Sequence, residues 1–399
     1  MIISIIIVKG YLRSDGRYGI RNIVLVVYLV ECAHHVADMI ARHFTQDDDV
    51  HVIGFGGCAP NEYAERMMRS LCTHPNVGGV VICSLGCENF RRDELLENVL
   101  NSGRLGELIV IQEEGGTRKS IERGIESISK MLPLLHSQQH TPISLSHLCI
   151  GTVCGGSDAW SGLTANPSVG VAFDRLVSHG ATCIFEEPGE LIGCENMLRE
   201  RGINKDVGDK LYNCIVKADK YYKQMGHDSF SQGNAVGGLT TIEEKSLGSY
   251  CKSGSSRIKG LIYPADNAIN KDCQGGLYMM DVVPDGKVRW GFPNINDNAE
   301  IMEMIASGCH TVLYTTGRGS VAGSAIAPVI KVCSNPDTFK RMSEDMDINA
   351  GRILTEGATF NDIADEIIDT IKQVANGVKT CSEALGHREY HIGYKYFLS

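Results

Sequence analysis

The stretch Gly79-Val80-Val81-Ile82-Cys83-Ser84-Leu85-Gly86-Cys87-Glu88 contains the unit from which the chain is built. Its first residues predict a buried strand, a glycine-containing turn follows, and residues 91–101 then have the spacing of a helix. The same order of strand, turn and helix occurs before and after this stretch. Strands that alternate with helices of about ten residues indicate a doubly wound, mostly parallel sheet of the Rossmann-like α/β class.

Further strands of this kind are predicted along most of the chain, at residues 23–29, 51–55, 107–112, 147–153, 181–185 and 310–314. A polar, proline-bearing segment at 138–144 separates two groups of them. A chain of 399 residues exceeds what one hydrophobic core usually supports. We therefore expect a Rossmann-like α/β domain at residues 1–140 and a second α/β catalytic domain at residues 141–399, which carries the glycine-rich substrate loops.

The balance of charges excludes two classes of partner. The chain has 38 Lys and Arg against 48 Asp and Glu, a formal net charge of −10, whereas nucleic-acid and anionic-membrane binding need a basic face. The apolar residues 1–8 are too few to span a bilayer and are expected to form an edge strand or an irregular start of the chain. The 15 cysteines, in a chain without a secretory signal, predict reduced thiols and a cytoplasmic location.

A second stretch contains the densest group of candidate functional residues. It reads Cys154-Gly155-Gly156-Ser157-Asp158-Ala159-Trp160-Ser161-Gly162-Leu163-Thr164-Ala165-Asn166-Pro167 and directly follows a predicted strand. A loop this polar is poor core material. Glycines let backbone N–H groups approach a ligand closely, and the N-terminus of the following helix favours anions. We predict that this loop binds a small, negatively charged, hydroxylated molecule.

Three cysteines, Cys58, Cys87 and Cys154, each lie in a glycine-containing turn just after a predicted strand. Ligands of parallel sheets collect at the carboxyl ends of strands, so we expect these thiols to converge. Three thiolates can hold an iron–sulfur cluster with one open iron, or part of a mononuclear iron site. The alternative is that they are ordinary turn cysteines, because none has CxxC spacing.

One arginine is a candidate for anion recognition. Arg318 shares a strand-end loop with Thr315, Thr316 and Ser320, and a guanidinium in such a loop suits bidentate binding of a carboxylate or sulfonate. An arginine on an ordinary surface loop has the same appearance in the sequence.

Candidate acid and base groups follow other turns. Lys245 comes after a glycine-rich turn and is a candidate base for a proton alpha to a carboxylate; an exposed helix lysine is the alternative. Glu187 and Glu190 follow a predicted buried strand and are candidates for acid, base or metal ligation. Their alternative role is to complement a helix dipole.

Several phrases resemble the altronate/galactarate dehydratase family. They extend from residue 10 to about residue 351 and include Leu85-Gly86-Cys87-Glu88, Cys154-Gly155-Gly156-Ser157-Asp158, Thr164-Ala165-Asn166-Pro167, Gly237-Gly238-Leu239-Thr240-Thr241 and Thr315-Thr316-Gly317-Arg318-Gly319. Others, such as Gly291-Phe292-Pro293-Asn294-Ile295, are similar to the members of that family that act on 3-sulfolactate. Sugar-acid dehydratases of the family tend to have His before their Gly-Cys turn, where this chain has Phe55.

The resemblance implies an iron-dependent lyase that eliminates sulfite from (2R)-3-sulfolactate to give pyruvate. It also implies a separate small subunit and an oligomeric assembly. The residue roles that follow from it are Lys245 and Glu187 as catalytic groups, Arg318, Ser157, Asp158, Asn166 and Ser320 for the substrate, and Cys58, Cys87 and Cys154 for iron, either as Fe²⁺ or as an iron–sulfur cluster. Two alternatives are a dehydratase of a sugar acid such as altronate or galactarate, and a non-catalytic subunit that binds hydroxy acids.

Overall fold

The computed structural model describes residues 6–44, 49–226, 229–266, 275–285 and 296–395. Residues 1–5 of the expected edge strand and the phrase at 291–295 lie outside this description. None of the described helices combines the length and apolar character needed to cross a membrane.

The strands are, in chain order, β1 (Ile7–Leu12), β2 (Tyr18–Gly19), β3 (Ile23–Tyr28), β4 (Val50–Gly54), β5 (Val77–Ser84), β6 (Leu105–Val110), β7 (Thr141–Ser144), β8 (Cys149–Cys154), β9 (Thr182–Phe185), β10 (Ile258–Ile262), β11 (Gly276–Met280), β12 (Thr311–Thr316), β13 (Val329–Cys333) and β14 (Ile348–Asn349). The helices are α1 (Glu31–Arg42), α2 (Glu62–Cys72), α3 (Arg92–Asn101), α4 (Ile111–Glu114), α5 (Thr117–His136), α6 (Ala165–Ser178), α7 (Glu195–Arg201), α8 (Lys205–Met225), α9 (Gln232–Val236), α10 (Ile242–Lys252), α11 (Asp297–Ala306), α12 (Pro336–Arg341), α13 (Arg352–Thr355), α14 (Phe360–Ala375) and α15 (Cys381–Leu385).

The amino-terminal part contains a parallel sheet in the order β4-β3-β5-β6. Every residue of β3 and β5 is buried. This burial explains their unbroken apolar sequences, because a central strand of a parallel sheet is covered on both faces. The predicted doubly wound α/β architecture is confirmed.

The carboxy-terminal part contains a larger parallel sheet in the order β10-β11-β9-β8-β12-β13-β14. From β8 the chain first builds strands on one side, beginning with β9, and later returns to the other side with β12. The strand order therefore reverses between β8 and β12. In open α/β sheets, the crevice beyond the carboxyl ends of two such strands is the usual ligand site.

The two parts are joined by strand pairing and by a shared core. Strand β1 pairs with β7, so a small antiparallel sheet crosses the boundary expected at residues 140 and 141. Ile53 of the smaller sheet and Tyr314 of the larger one belong to a single buried cluster. Asn76 Nδ2 also donates to the carbonyl oxygens of His310 and Ile326, at 3.3 and 3.1 Å. The division at residue 140 stays a prediction.

Element boundaries differ from the sequence-based expectation in several places. Helix α5 continues past Pro133 to His136, and Leu135 in its last turn is 1% exposed, so core packing holds that turn. Helix α6 begins at Ala165, which places Asn166 and Pro167 inside its first turn.

Candidate active site at the reversal of strand order

The loops after β8 and β12 are hydrogen-bonded to each other. Gly155 N donates to Thr315 O at 3.0 Å, and the N–H groups of Gly317 and Arg318 donate to Gly156 O at 3.2 and 3.0 Å. Gly156 has a φ of +65°, in the left-handed region that favours glycine. The glycine-rich loop and the arginine loop are thus fixed side by side at the predicted position.

Gly155 allows a close approach that any side chain would prevent. A Cβ atom at this residue would lie 1.6 Å from Tyr314 Oη and 2.3 Å from Asp297 Oδ2. Those two atoms form a hydrogen bond of 2.5 Å. The glycine therefore lets helix α11, which carries Asp297, lie against the end of β12.

A cavity of about 320 Å³ opens at this edge of the larger sheet. Residues from the loops after β8, β9 and β12 and from helices α8, α9, α10 and α11 line it, including Cys154, Ser157, Glu187, Glu190, Asn234, Lys245, Asp297, Glu300 and Arg318. The cavity thus brings Lys245, Glu187, Arg318, Ser157 and Cys154 together, and their roles there stay predictions.

The thiol of Cys154 lies against two carboxylates. Its Sγ is 2.8 Å from Glu190 Oε2 and 3.3 Å from Ser157 Oγ. The backbone N–H of Cys154 donates to Glu187 Oε1 at 3.0 Å. One ligand atom from each of Cys154, Glu187 and Glu190 lies within 4.8 Å of the other two, a spacing at which they can hold a metal ion.

Two buried lysines of helix α10 pair with these carboxylates. Lys245 Nζ lies 2.7 Å from Glu190 Oε1 and also donates to Ser229 O and Asn234 Oδ1. Lys252 Nζ pairs with Glu187 Oε2. A separation of seven residues is two helical turns, so both ammonium groups project from one face of the helix.

The local charges separate the pKa values of the two glutamates. Burial and the charge of Glu190 raise the pKa of Glu187 to about 7, although Lys252 acts in the opposite direction. Burial would also raise the pKa of Glu190, but Lys245 and Lys252 outweigh burial and lower it. Environments that push the pKa values of neighbouring groups apart are typical of acid–base sites.

The same interactions hold protons on Cys154 and Lys245. Burial, followed by the charges of Glu187 and Glu190, raises the pKa of the Cys154 thiol well above its usual value. Burial lowers the pKa of Lys245, but Glu190 and Cys154 more than compensate and the net shift is upward. At neutral pH the lysine is therefore an ammonium ion.

The backbone at Glu187 is unusual. Its φ of 74° lies in the left-handed region, which a non-glycine residue occupies only when its surroundings enforce it. A short 3₁₀ turn, Pro188–Leu191, follows directly. This turn points both Glu187 and Glu190 toward Cys154.

Asp158, a predicted substrate residue, has a structural environment. Its carboxylate accepts hydrogen bonds of 3.0 to 3.1 Å from Trp160 N, Ser161 Oγ, Ser334 Oγ and Asn335 Nδ2. It is buried and does not line the cavity. Asp158 therefore holds the loop in place, and its expected contact with substrate stays a prediction.

Two other predicted substrate residues lie outside the cavity lining. Asn166 Nδ2 donates to Gly248 O at 3.2 Å, which ties helix α6 to helix α10. Ser320 Oγ accepts from Ala322 N at 3.1 Å and bonds the hydroxyl of Tyr314. Both residues support the walls of the site, and direct contact with substrate stays a prediction.

Cys58 and Cys87 lie elsewhere. Both are exposed, and their loops adjoin, because Asn89 N donates to Cys58 O at 2.8 Å. Neither lines the cavity, and neither belongs to a metal-ligating group within the described ranges. The structure places Cys154 next to carboxylates instead of these thiols, so ligation by three thiolates is not supported by this arrangement.

Sequence reasoning missed four residues of the site. Lys252 carried a usable signal, since it follows Lys245 by seven residues on a predicted helix. Asp297, Glu300 and Tyr314 gave no such signal. Asp297 and Glu300 reach the cavity, and Tyr314 reaches Asp297, only because α11 and β12 pack beside β8.

Known protein families match almost the whole chain. The model described as "D-galactarate dehydratase/Altronate hydrolase, second domain" matches residues 10–136. The one described as "D-galactarate/Altronate dehydratase, C-terminal" matches residues 145–397.

Individual relatives include enzymes with different substrates. The chain is 31% identical to (2R)-sulfolactate sulfo-lyase subunit beta of Chromohalobacter salexigens, over 96% of this chain and 95% of the relative. It is 29% identical to altronate dehydratase of Escherichia coli, over 96% of this chain and 77% of the relative. It is 31% identical to galactarate dehydratase (L-threo-forming) of E. coli, over 93% and 73%. These relatives are lyases or dehydratases, and the chain belongs to the D-galactarate/altronate dehydratase family.

Proposed function

We propose that this chain is the catalytic part of a lyase that removes sulfite from (2R)-3-sulfolactate and leaves pyruvate. The proposal is carried by Arg318, which shares one cavity with Glu187, Glu190 and Lys245. Within the described part of the chain, Arg318 forms no ion pair with a carboxylate; its Nη1 donates to Gly233 O at 3.0 Å. The other N–H groups of the guanidinium are available for a sulfonate or carboxylate.

The reaction needs a base for the proton on C2 and a departing group on C3. Glu187 is the candidate base, because it lines the cavity and its raised pKa suits proton abstraction near neutral pH. The C–H electron pair forms the C2–C3 double bond as the C3–S bond breaks, and sulfite leaves with the electrons of that bond. The enol of pyruvate then takes a proton on C3 and becomes the ketone.

Lys245 has a different role in this scheme from the one that the sequence predicted. Its three N–H donors already face Glu190, Ser229 O and Asn234 Oδ1. A lysine that holds its proton is a poor base. We propose that its ammonium positions Glu190 and stabilises the negative charge that develops on the substrate during proton removal.

The iron that the family resemblance implies does not fit the predicted thiolates. Cys58 and Cys87 lie outside the cavity that Cys154 lines. Around Cys154, the carboxylates of Glu187 and Glu190 each have a lysine partner. This group is therefore already balanced in charge.

We also propose a partner subunit and a cytoplasmic location. The support for the partner is the name of a relative, which is a subunit beta matched over 95% of its length. The support for the location is the cysteine-rich sequence, which suits a reducing compartment.

A dehydratase of a sugar acid is the second candidate. Its support is the identity of 29 to 31% to altronate and galactarate dehydratases, which equals the identity to the sulfo-lyase subunit. In that reaction, hydroxide leaves from C3 in place of sulfite.

Product analysis decides between the candidates. The protein, alone and with its candidate small subunit, is incubated with (2R)-3-sulfolactate, altronate or galactarate, and sulfite, pyruvate and 2-keto-3-deoxy acids are measured. Sulfite and pyruvate in equal amounts are expected. A 2-keto-3-deoxy acid from a sugar acid, without sulfite from sulfolactate, would establish the dehydratase. Tight binding of a hydroxy acid with no product would favour a non-catalytic subunit.

A further inference from the structure

A second group of carboxylates adjoins the cavity. One oxygen atom each from Glu186, Glu187 and Glu300 lies within 4.8 Å of the other two. Glu186 follows the last residue of β9, and Glu300 comes from helix α11, so two separate elements bring the group together. All three residues are buried.

Within the described residues, the side chain of Glu186 has no hydrogen-bond partner. The residue is 1% exposed, and neither carboxylate oxygen has a donor among the residues that the structure describes. Burying a polar group without a partner is strongly unfavourable, and more so when the group is charged. The position of this carboxylate among two others indicates that it faces a bound species.

The neighbouring positive charges do not balance this group. Lys252 pairs with Glu187, and Lys395 Nζ lies 2.6 Å from Oε1 of Glu303, a fourth carboxylate that faces the group. Two ammonium groups therefore meet four carboxylates. Asp297, on the same helix as Glu300, adds to the negative charge around Glu300.

A proton shared between two carboxyl groups does not explain why Glu186, Glu187 and Glu300 lie so close together. Two carboxyl groups that share a proton form a short hydrogen bond with each other. Glu186 forms no such bond in the described structure, although oxygens of Glu187 and Glu300 are near. By contrast, oxygens that share a cation at ligand distances of about 2.0 to 2.6 Å lie at most about 5 Å apart, and the oxygens of this group all lie within 4.8 Å of one another.

We propose that Glu186, Glu187 and Glu300 form a site for a divalent cation that is held through oxygen atoms alone. Carboxylate oxygens suit hard ions such as Mg²⁺ and Mn²⁺. The site is distinct from the group around Cys154, although Glu187 belongs to both. Glu187 Oε1 accepts from Cys154 N and its Oε2 pairs with Lys252, so Glu186 and Glu300 are the residues that define the site. Cation binding at this site does not depend on the identity of the substrate.

The test compares carboxylates inside and outside the proposed site. The protein is stripped of metal with a chelator, and binding of Mn²⁺ is measured by equilibrium dialysis with elemental analysis, together with the change in unfolding temperature. We expect about one Mn²⁺ per chain and a higher Tm with the ion. Glu186→Gln and Glu300→Gln should each weaken binding at least tenfold and remove the rise in Tm. The matched control, Glu190→Gln, lies in the other candidate group and should retain both.

Several results would overturn the site. They are absence of Mn²⁺ binding by the wild-type protein, wild-type affinity in Glu186→Gln, or loss of binding in Glu190→Gln alone. If a variant fails to fold, Co²⁺ added to the wild-type protein decides the question. A thiolate-to-Co²⁺ charge-transfer band would place the ion on Cys154 and contradict the proposal, and its absence from a Co²⁺-loaded protein would support it. These are binding measurements, so they are independent of the product analysis.

Discussion

Lys245 Nζ lies 2.7 Å from Glu190 Oε1, and the other oxygen of that carboxylate lies 2.8 Å from Cys154 Sγ. One ammonium group therefore keeps a carboxylate ionised beside a thiol at the wall of the cavity. The pKa of Lys245 is raised by this contact despite burial. We therefore propose that Lys245 positions Glu190 and stabilises negative charge on the substrate, and that Glu187 abstracts the proton.

Replacing Lys245 by Met should lower kcat by about 100-fold or more, because the developing charge on the substrate loses its nearest ammonium group. Binding of 3-sulfopropionate, which lacks the C2 hydroxyl and therefore cannot give pyruvate, should change little, since Arg318 remains. Lys245→Arg keeps the charge and should lose less activity. An unchanged kcat in Lys245→Met would remove this residue from the mechanism.

Replacing Arg318 by Gln should weaken substrate binding, because a charge-assisted bidentate interaction contributes about 1.5 to 3 kcal/mol. We expect KM for sulfolactate to rise about tenfold or more. Binding of 3-sulfopropionate and of propionate, measured by calorimetry, identifies the group that Arg318 contacts. A larger loss for 3-sulfopropionate is expected. Equal losses for the two ligands would show that Arg318 contacts the carboxylate and not the sulfonate.

Replacing Lys252 by Met should destabilise the fold by about 3 to 5 kcal/mol, because it leaves the buried carboxylate of Glu187 without its partner. Lys252 is 2% exposed. The double variant Glu187→Gln/Lys252→Met removes both charges and should recover most of that loss. Urea unfolding of the wild type, both single variants and the double variant measures the coupling. Additive effects of the two substitutions would contradict the ion pair.

The fold was predictable from the sequence because the repeated unit carries its own signal. Buried strands such as β5 are continuous apolar runs, and a glycine-containing turn follows. The same reasoning located the loops of Cys154 and Arg318, since both come directly after buried parallel strands. Their meeting at the reversal of strand order follows from the topology.

The role of each polar side chain within those loops was not predictable. Asp158 and Ser157 are adjacent in the sequence, yet Asp158 faces donors from the protein and Ser157 lines the cavity. Glu300 sits more than 100 residues from Glu187 along the chain and approaches it only through packing of α11. Such contacts depend on tertiary structure, which local patterns do not contain.

The last prediction concerns the metal content and activity of cysteine variants. Ligation of iron by three thiolates and binding of an ion by carboxylates alone predict different results. If Cys58, Cys87 and Cys154 hold iron together, each Ser variant should lose the metal and the activity. The described arrangement, with Cys58 and Cys87 exposed and outside the cavity, predicts otherwise. We expect Cys58→Ser and Cys87→Ser to keep their metal content and to retain kcat within about twofold, as surface substitutions usually do.

Cys154→Ser separates these hypotheses further. A hydroxyl can still donate to Glu190 Oε2, so this variant should keep its metal if the ion binds the carboxylates of Glu186, Glu187 and Glu300. Anaerobic purification of the three Ser variants, followed by analysis of iron, manganese and sulfide, gives the answer. Parallel loss of iron and sulfide in all three would show that the loops of Cys58 and Cys87 close over Cys154 and would establish a cluster. Loss confined to Cys154→Ser would instead indicate a single ion with one sulfur ligand, and the all-oxygen site would then be contradicted.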